Sequence, residues 1–114
     1  MTLRQKQSLF VELVAELIRW AYRNGYELTF AEAYRTPEQA RRNAAAGTGI
    51  ASSLHCQRLA IDLNLFREGV YMTSTEAHMP LGKYWKSLDP LCRWGGDFRK
   101  RDGNHYSLAH RGRA

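Results

Sequence analysis

This sequence of 114 residues has few of the features that cross-link a chain, anchor it in a membrane or leave it disordered. It has only two cysteines, Cys56 and Cys92, which form no CxxC pair and no disulfide framework, so we expect both to be reduced. No apolar run approaches the roughly 18 residues that span a bilayer, and the first residues do not resemble a signal peptide. Internal repeats and low-complexity linkers are also missing. We therefore expect one soluble domain over residues 1–114, made in a cytoplasm and not inserted in a membrane.

Acidic residues are in the minority, with 11 Asp and Glu against 17 Lys and Arg and a formal net charge of +6. A basic surface of this kind favours anionic partners, such as nucleic acid, a membrane surface or an acidic polymer of the cell wall. The charge is concentrated at residues 99–101 and 111–113, which are short enough to be ordinary solvated surface. Hydrophobic residues make up 44% of the chain and aromatic residues 11%, which is enough to form a core and argues against disorder.

The hydrophobic pattern predicts the α+β class, a small antiparallel sheet with flanking helices. Apolar residues at three- and four-residue steps predict a helix over Leu3–Asn24, ended by Gly25. Thr36 and Pro37 are typical of a helix start, and a further helix is predicted near Pro80–Leu88. Strands are predicted at Tyr26–Phe30, Leu59–Phe66, Val70–Met72 and Asn104–Ala109.

Two pairs of histidine and aspartate carry the candidate chemistry. His55 and Asp62 are seven positions apart, so a continuous strand would place them on opposite faces and a continuous helix about 10 Å apart. They can share one ion only if a loop carrying His55 folds back beside a strand carrying Asp62. Asp102 and His105 bracket a Gly-Asn pair that suits a tight turn. Together these residues are the inventory of a hydrolytic zinc site, with three protein ligands, an open position and a base.

Ordinary structural roles are the alternatives at these positions. Histidines are often packed or surface residues, and Asp102 could simply cap a turn. Asp62 is more informative, because an acid in an apolar strand is rarely buried without a partner. His78 and His110 have no comparable surroundings and are predicted to lie on the surface.

The segment SLHCQRLAID at residues 53–62, followed by DGNH at residues 102–105, resembles two motifs of the M15 zinc peptidases, S-x-H-x-x-G-x-A-x-D and (E/D)-x-x-H. EAYRTPEQ at residues 32–39 resembles that family's G-Y-R-(S/T)-x-x-x-Q segment. The matches follow the family's order, and residues 94–108 are similar to the small phage-encoded members.

Arg58 departs from the pattern, since it stands where the first motif has glycine and would narrow or charge the loop between the ligands. Ala33 and Ser107 are further departures that remove neither a ligand nor the base.

The resemblance implies a site for one zinc ion bound by His55, Asp62 and His105. It implies that Asp102 is the general base, which takes a proton from water and passes one to the leaving amine.

The resemblance also implies a substrate-binding role for Arg35, whose guanidinium would stabilise the developing oxyanion. Gln39 and Ser53 would support substrate binding beside it.

The M15 family includes D-alanyl-D-alanine carboxypeptidases and phage endolysins that act as L-alanyl-D-glutamate peptidases. The resemblance therefore implies a hedgehog/DD-peptidase-like fold and a zinc-dependent peptidase acting on murein stem peptides, with a phage endolysin as the first hypothesis. Such an enzyme would be a monomer that leaves the host bacterial cytoplasm through a holin and acts in the periplasm or cell wall.

Two alternatives stay open. One is a D-alanyl-D-alanine carboxypeptidase, with the same metal chemistry on a different bond. The other is a basic nucleic-acid-binding protein on a degenerate peptidase fold, although no recognised nucleic-acid motif supports it and we expect no nucleic-acid partner.

Overall fold

The computed structural model describes residues 1–114 as helices packed on a five-stranded antiparallel sheet, which confirms the α+β class. The helices are α1 (Leu3–Arg23), α2 (Pro37–Ala45) and α3 (Thr75–Leu88). The strands are β1 (Glu27–Phe30), β2 (Ala60–Arg67), β3 (Val70–Met72), β4 (Cys92–Trp94) and β5 (His105–Leu108). Two short 3-10 turns span Leu54–Gln57 and Gly95–Asp97. None of the helices combines the length and apolar character needed to cross a membrane.

Strand β2 is the centre of the sheet. The strand order is β1-β2-β5-β4, and β3 pairs with β2 as an antiparallel hairpin. Leu63 and Leu65 are fully buried, while Asp62 and Asn64, which alternate with them along the strand, are only half-buried. The register places Asp62 directly opposite His105 of β5. Because residues opposite each other share a face of the sheet, this pairing brings the two side chains together.

The hydrophobic core lies between the sheet and helices α1 and α3. Leu17 of α1 and Trp85 of α3 are fully buried, and the ring of Phe10 meets that of Trp85 edge-on with 5.8 Å between centroids. The indole nitrogen of Trp85 donates to the carbonyl of Arg93, 2.9 Å away. Burying a large aromatic side chain contributes about 2–3 kcal/mol, so this cluster fixes the two helices against the sheet that carries the candidate site.

Helix α3 begins five residues earlier than the sequence pattern predicts. Ser74 caps it, since its hydroxyl accepts a hydrogen bond of 3.1 Å from the Ala77 amide. Pro80 therefore lies inside the helix rather than at its start. The longer helix places His78 three residues before Leu81 and seven before Trp85, on the buried face, where it is 2% exposed. The prediction of a surface position for His78 is wrong for this reason.

Candidate active site

His55 is held by the short 3-10 turn that precedes β2. The Ser53 hydroxyl caps this turn by accepting a hydrogen bond of 3.1 Å from the His55 amide. The turn ends at Arg58, whose φ of 56° and ψ of 36° are left-handed, and the Leu59 amide then bonds to the Leu54 carbonyl. The chain thus folds back so that His55 lies beside the strand that carries Asp62, as the sequence predicts.

Three side chains converge where β2 and β5 meet this turn. The Oδ1 atom of Asp62 lies 3.3 Å from Nε2 of His55 and 3.3 Å from Nδ1 of His105. One ligand atom from each residue can be chosen so that all lie within 4.8 Å of one another. Both histidines are buried, with 2% and 6% exposure, so the cluster is shielded from bulk water on most sides.

The Asp62 carboxylate shows that this cluster fits a cation. Its Oδ1 atom is buried and has no hydrogen-bond partner, a costly arrangement for an anionic oxygen. Burial by itself would raise the pKa of Asp62, but interactions with His105 and His55 outweigh it and lower the pKa to about 2. An ionised carboxylate oxygen and two imidazole nitrogens aimed at one point are a donor set that zinc accepts, with a coordination position left open.

Asp102 lies beside this donor set, on the turn that leads into β5. Its Oδ2 atom is 3.9 Å from Nδ1 of His105, and its side chain is half-exposed. Its amide donates to the Gly95 carbonyl at 2.9 Å, and its carbonyl accepts from the His105 amide at 3.1 Å. Only glycine fits at position 95, because a Cβ there would lie 2.1 Å from the Asp102 carbonyl oxygen and 2.8 Å from the Cβ of His105.

The electrostatic surroundings of Asp102 suit a proton acceptor. Partial burial raises its pKa, and the negative charge of Asp62 raises it further. A more basic carboxylate that faces the open side of the site and is not one of the three clustered donors has the properties of a general base.

Arg35 reaches the same cleft from the segment between β1 and α2. Its amide donates to the His55 carbonyl at 3.3 Å, and its Nη2 atom donates to the Glu32 carboxylate. The side chain is 15% exposed and its Nε atom is buried without a hydrogen-bond partner. The guanidinium is therefore fixed in place at the cleft wall.

The two predicted supporting residues differ in position. Ser53 is buried and lines the cleft. Gln39 lies on the exposed side of α2, where its amide nitrogen donates to Oδ1 of Asn43 at 2.7 Å, and it does not line the cleft. A role for Gln39 in substrate binding stays a prediction without a contact behind it.

The cleft around these groups has a volume of about 410 Å³ and a wall that the sequence motifs do not assign. Phe98 packs against the His105 ring with centroids 5.3 Å apart, and Lys100 and Arg101 line the cleft next to Asp102. The basic run at residues 99–101, and the similarity of residues 94–108 to the small phage-encoded members, are the sequence signals that could have indicated these residues. The positive charges of Lys100 and Arg101 share the cleft with the carboxylates of Asp62 and Asp102. Arg101 is paired with Glu76 at 2.8 Å, which leaves Lys100 as the cation beside Asp102 without an ion-pair partner.

The α+β fold and its open site of two histidines and two carboxylates define a hydrolytic metalloenzyme. A peptidase M15 family model, described as D-alanyl-D-alanine carboxypeptidase, matches residues 46–108, more than half of the chain. The chain belongs to this family of zinc metallopeptidases, which confirms the family, the enzyme class and the zinc cofactor expected from the sequence motifs.

Two solved structures share the fold. The L-Ala D-Glu endopeptidase ChiX of Serratia marcescens has a TM-score of 0.70 and 23% identity, over 86% of this chain and 78% of that one. The vancomycin resistance D,D-pentapeptidase VanY from a VanB-type cassette, in complex with Zn(II), has a TM-score of 0.61 and 18% identity, over 89% of this chain and 71% of that one. No curated protein sequence gives a significant match.

Proposed function

We propose that this protein is a zinc-dependent murein peptidase that cleaves the L-alanyl-D-glutamate bond of stem peptides, as phage endolysins do. The observation that carries the proposal is the orphaned, ionised Asp62 carboxylate between two imidazoles, with a second, more basic carboxylate beside it in an open cleft. The likeness to the ChiX endopeptidase favours this bond, whereas the family description favours the D-alanyl-D-alanine carboxypeptidase alternative.

The proposed ligands are His55, Asp62 and His105. When bound there, zinc supplies a Lewis acid that polarises a carbonyl and brings the pKa of a coordinated water near 7. Asp62 remains anionic because its pKa is about 2, so it can hold a cation throughout the neutral range.

Asp102 and Arg35 perform the remaining steps. Asp102 accepts the proton of the attacking water and returns a proton to the leaving amine, since its carboxylate lies at the open side of the cluster. Arg35 directs its guanidinium at the carbonyl oxygen, where negative charge develops in the transition state. Lys100, which lines the cleft next to Asp102, supplies a positive charge for a carboxylate of the stem peptide.

The decisive experiment is digestion of purified murein with the zinc-loaded protein, with and without chelator. We expect new D-glutamate amino termini that disappear with chelator and return when zinc is added back. Release of free D-alanine instead would replace the proposal by the carboxypeptidase alternative. Zinc-free protein that retains nucleic acid and releases neither product would favour the nucleic-acid-binding alternative.

We further propose that the enzyme acts as a monomer that reaches the cell wall from the bacterial cytoplasm with the help of a holin. Expression in a Gram-negative cytoplasm should then leave cells intact until the inner membrane is permeabilised. Lysis without permeabilisation would contradict the holin requirement, and a dimer in sedimentation would contradict the monomer.

A further inference from the structure

The segment between β1 and α2 is attached to both sides of the metal-ligand cluster. The Ala31 amide donates to the Asp62 carbonyl at 3.0 Å, and the Asp62 amide donates to the Glu32 carbonyl at 2.8 Å. Four residues beyond Ala31, the Arg35 amide donates to the His55 carbonyl at 3.3 Å. The main chain at position 32 is thus fixed relative to two of the proposed ligands.

The Glu32 side chain lies between His55 and Arg35. Its Oε1 atom accepts a hydrogen bond from Nη2 of Arg35 and lies 3.7 Å from Nδ1 of His55. That ring nitrogen is buried and has no hydrogen-bond partner, while the other ring nitrogen of His55 faces Asp62. Glu32 Oε1 is therefore a carboxylate acceptor placed on the side of the imidazole that faces away from the cluster.

A histidine that binds a metal through one nitrogen commonly directs the N–H of the other at a carboxylate, which fixes the ring's orientation and tautomer. Glu32 Oε1, 3.7 Å from Nδ1 of His55 and slightly beyond hydrogen-bond distance, is the carboxylate oxygen placed to take this role, and the same oxygen holds the Arg35 guanidinium. Glu32 and Arg35 form an ion pair in which the Glu32 side chain is 35% exposed and the Arg35 side chain 15% exposed.

We propose that Glu32 is a positioning residue that orients His55 for zinc and Arg35 for substrate, so that one carboxylate couples metal affinity to substrate binding. Glu32 touches neither zinc nor substrate and acts only through these two side chains. The proposal rests on the assignment of His55 as a ligand, but its main test requires no substrate.

The test is a chelator-competition titration that measures zinc affinity of the folded protein. Glu32→Ala should bind zinc about 10- to 100-fold more weakly, the usual effect of losing an outer partner of a ligand. Glu32→Gln should lose less affinity, because its amide oxygen keeps an acceptor on the Nδ1 side of His55. The matched control is Glu38→Ala, which removes an exposed carboxylate of α2 that lies 3.9 Å from Arg42 and outside the cleft, and it should leave zinc affinity unchanged.

Arg35→Ala separates the two halves of the proposal. It should lower turnover of murein without weakening zinc, whereas Glu32→Ala should lower both. The visible absorption spectrum of the cobalt(II)-loaded protein supplies a second readout, because a reoriented His55 changes the ligand field. We expect altered bands for Glu32→Ala and wild-type bands for Glu38→Ala.

Wild-type zinc affinity and an unchanged cobalt spectrum in Glu32→Ala would overturn the proposal. An equal loss of affinity in Glu38→Ala would also overturn it, since the effect would then be general. If Glu32→Ala fails to fold, Glu32→Leu takes its place, since it is closer in size and also has no hydrogen-bond acceptor, and wild-type zinc affinity in that variant would overturn the proposal. A wild-type protein that binds zinc but does not cleave murein would contradict the proposed substrate and leave this inference intact.

Discussion

Buried histidines lie at both faces of β5, in opposite chemical situations. On the cleft face, His105 and His55 surround an ionised carboxylate oxygen that has no hydrogen-bond partner. On the core face, Nδ1 of His78 on α3 lies 2.9 Å from the hydroxyl of Tyr106, and burial rather than a charged neighbour shifts the pKa of His78. All three histidines are between 2% and 6% exposed, so burial does not distinguish them. The difference is whether the protein itself satisfies the polar groups that it buries.

Strand geometry explains how both situations occur one residue apart. Successive side chains of a strand point to opposite faces, so His105 enters the cleft and Tyr106 enters the core. Tyr106 is fully buried there, and its ring meets Trp85 edge-on with 6.2 Å between centroids. The hydrogen bond between His78 and Tyr106 stabilises the core, whereas the Asp62 oxygen without a partner indicates a site for a ligand.

The largest expected effect, on zinc affinity, comes from substituting His105 on the cleft face of β5, compared with substituting its neighbour Tyr106 on the core face. His105→Ala should reduce zinc affinity beyond the roughly 100-fold that loss of an outer partner produces, because a direct ligand is removed. Tyr106→Phe should keep full zinc content but lose about 1–3 kcal/mol of stability, since the buried His78 nitrogen loses its partner. Metal analysis after dialysis and denaturant unfolding measure the two effects. Full zinc content in His105→Ala, or loss of zinc in Tyr106→Phe, would contradict the assignment of zinc binding to the cleft face alone.

Asp102→Asn should have the next largest effect, on catalysis alone. The amide keeps the size of the side chain and most of its hydrogen bonding but cannot accept a proton, so turnover should fall about 10²- to 10⁴-fold. Zinc content should stay at the wild-type level, because Asp102 is not among the three clustered donors.

Asp97→Asn is the matched control for this prediction. Asp97 is a half-exposed acid that bonds to Lys86 at 2.7 Å and does not line the cleft, so its loss should leave turnover unchanged. Near-wild-type turnover in Asp102→Asn would assign the base to another group, and loss of zinc would make Asp102 a ligand.

The core histidine should set a pH dependence of stability. Burial lowers the pKa of His78 from 6.5 to about 4, so the unfolded chain binds a proton more readily than the folded one between these values. Stability is then complete above pH 6.5 and declines as the pH falls toward 4, by up to about 3 kcal/mol. This window lies above that of Asp62, whose pKa is about 2.

His78→Gln should flatten the stability profile between pH 4 and 6.5, as measured by the unfolding midpoint at successive pH values. His110→Gln is the comparison variant: burial and the positive charges of Lys6 and Arg111 also lower the pKa of His110, but its ring is more exposed, so its loss should flatten the profile less than loss of His78. If the unfolding midpoint of His78→Gln depends on pH as steeply as that of the wild type, groups other than His78 cause the loss of stability at low pH.

The ligand face could be predicted from the sequence because its geometry is largely local. Apolar alternation fixes which face of β2 Asp62 occupies, and the Ser53 cap and the Gly-Asn turn before His105 are visible as residue types. Order along the chain then limits how His55 can approach. The roles of these residues as ligands, base and substrate contacts stay predictions that the experiments above address.

The remaining features depend on contacts that no local pattern encodes. The position of His78 required knowing that α3 continues through Pro80, which the Ser74 cap and the packing of Trp85 decide. Glu32 stands in the quoted motif, but its approach to His55 depends on hydrogen bonds between distant segments. Gln39 matches the motif in sequence, yet its side chain bonds to Asn43 on the outer side of α2.

The smallest expected effect concerns Arg58, which lies between the 3-10 turn that carries His55 and strand β2. Its left-handed backbone costs a non-glycine residue about 1 kcal/mol, which accounts for the motif's glycine at this position. Its guanidinium lies 4.0 Å from the centroid of the Tyr34 ring, a contact worth about 0.5–1 kcal/mol at an exposed site. The side chain is not among those that line the cleft, and its effect on the loop between the ligands stays a prediction.

The backbone strain at Arg58 and its contact with the Tyr34 ring have opposite effects on stability, so they predict the order in which the variants unfold. Arg58→Gly removes both the strain and the ring contact, so its stability should stay within about 1 kcal/mol of the wild type. Arg58→Ala keeps the strain and loses the contact, so its unfolding midpoint in denaturant should be the lowest of the three. Zinc content and turnover should be unchanged in both variants, because neither alters His55 or the cleft wall. Equal midpoints for the alanine and glycine variants would show that the left-handed backbone costs nothing here, and lost zinc would show that the Tyr34 contact, rather than the Ser53 cap, holds His55 in place.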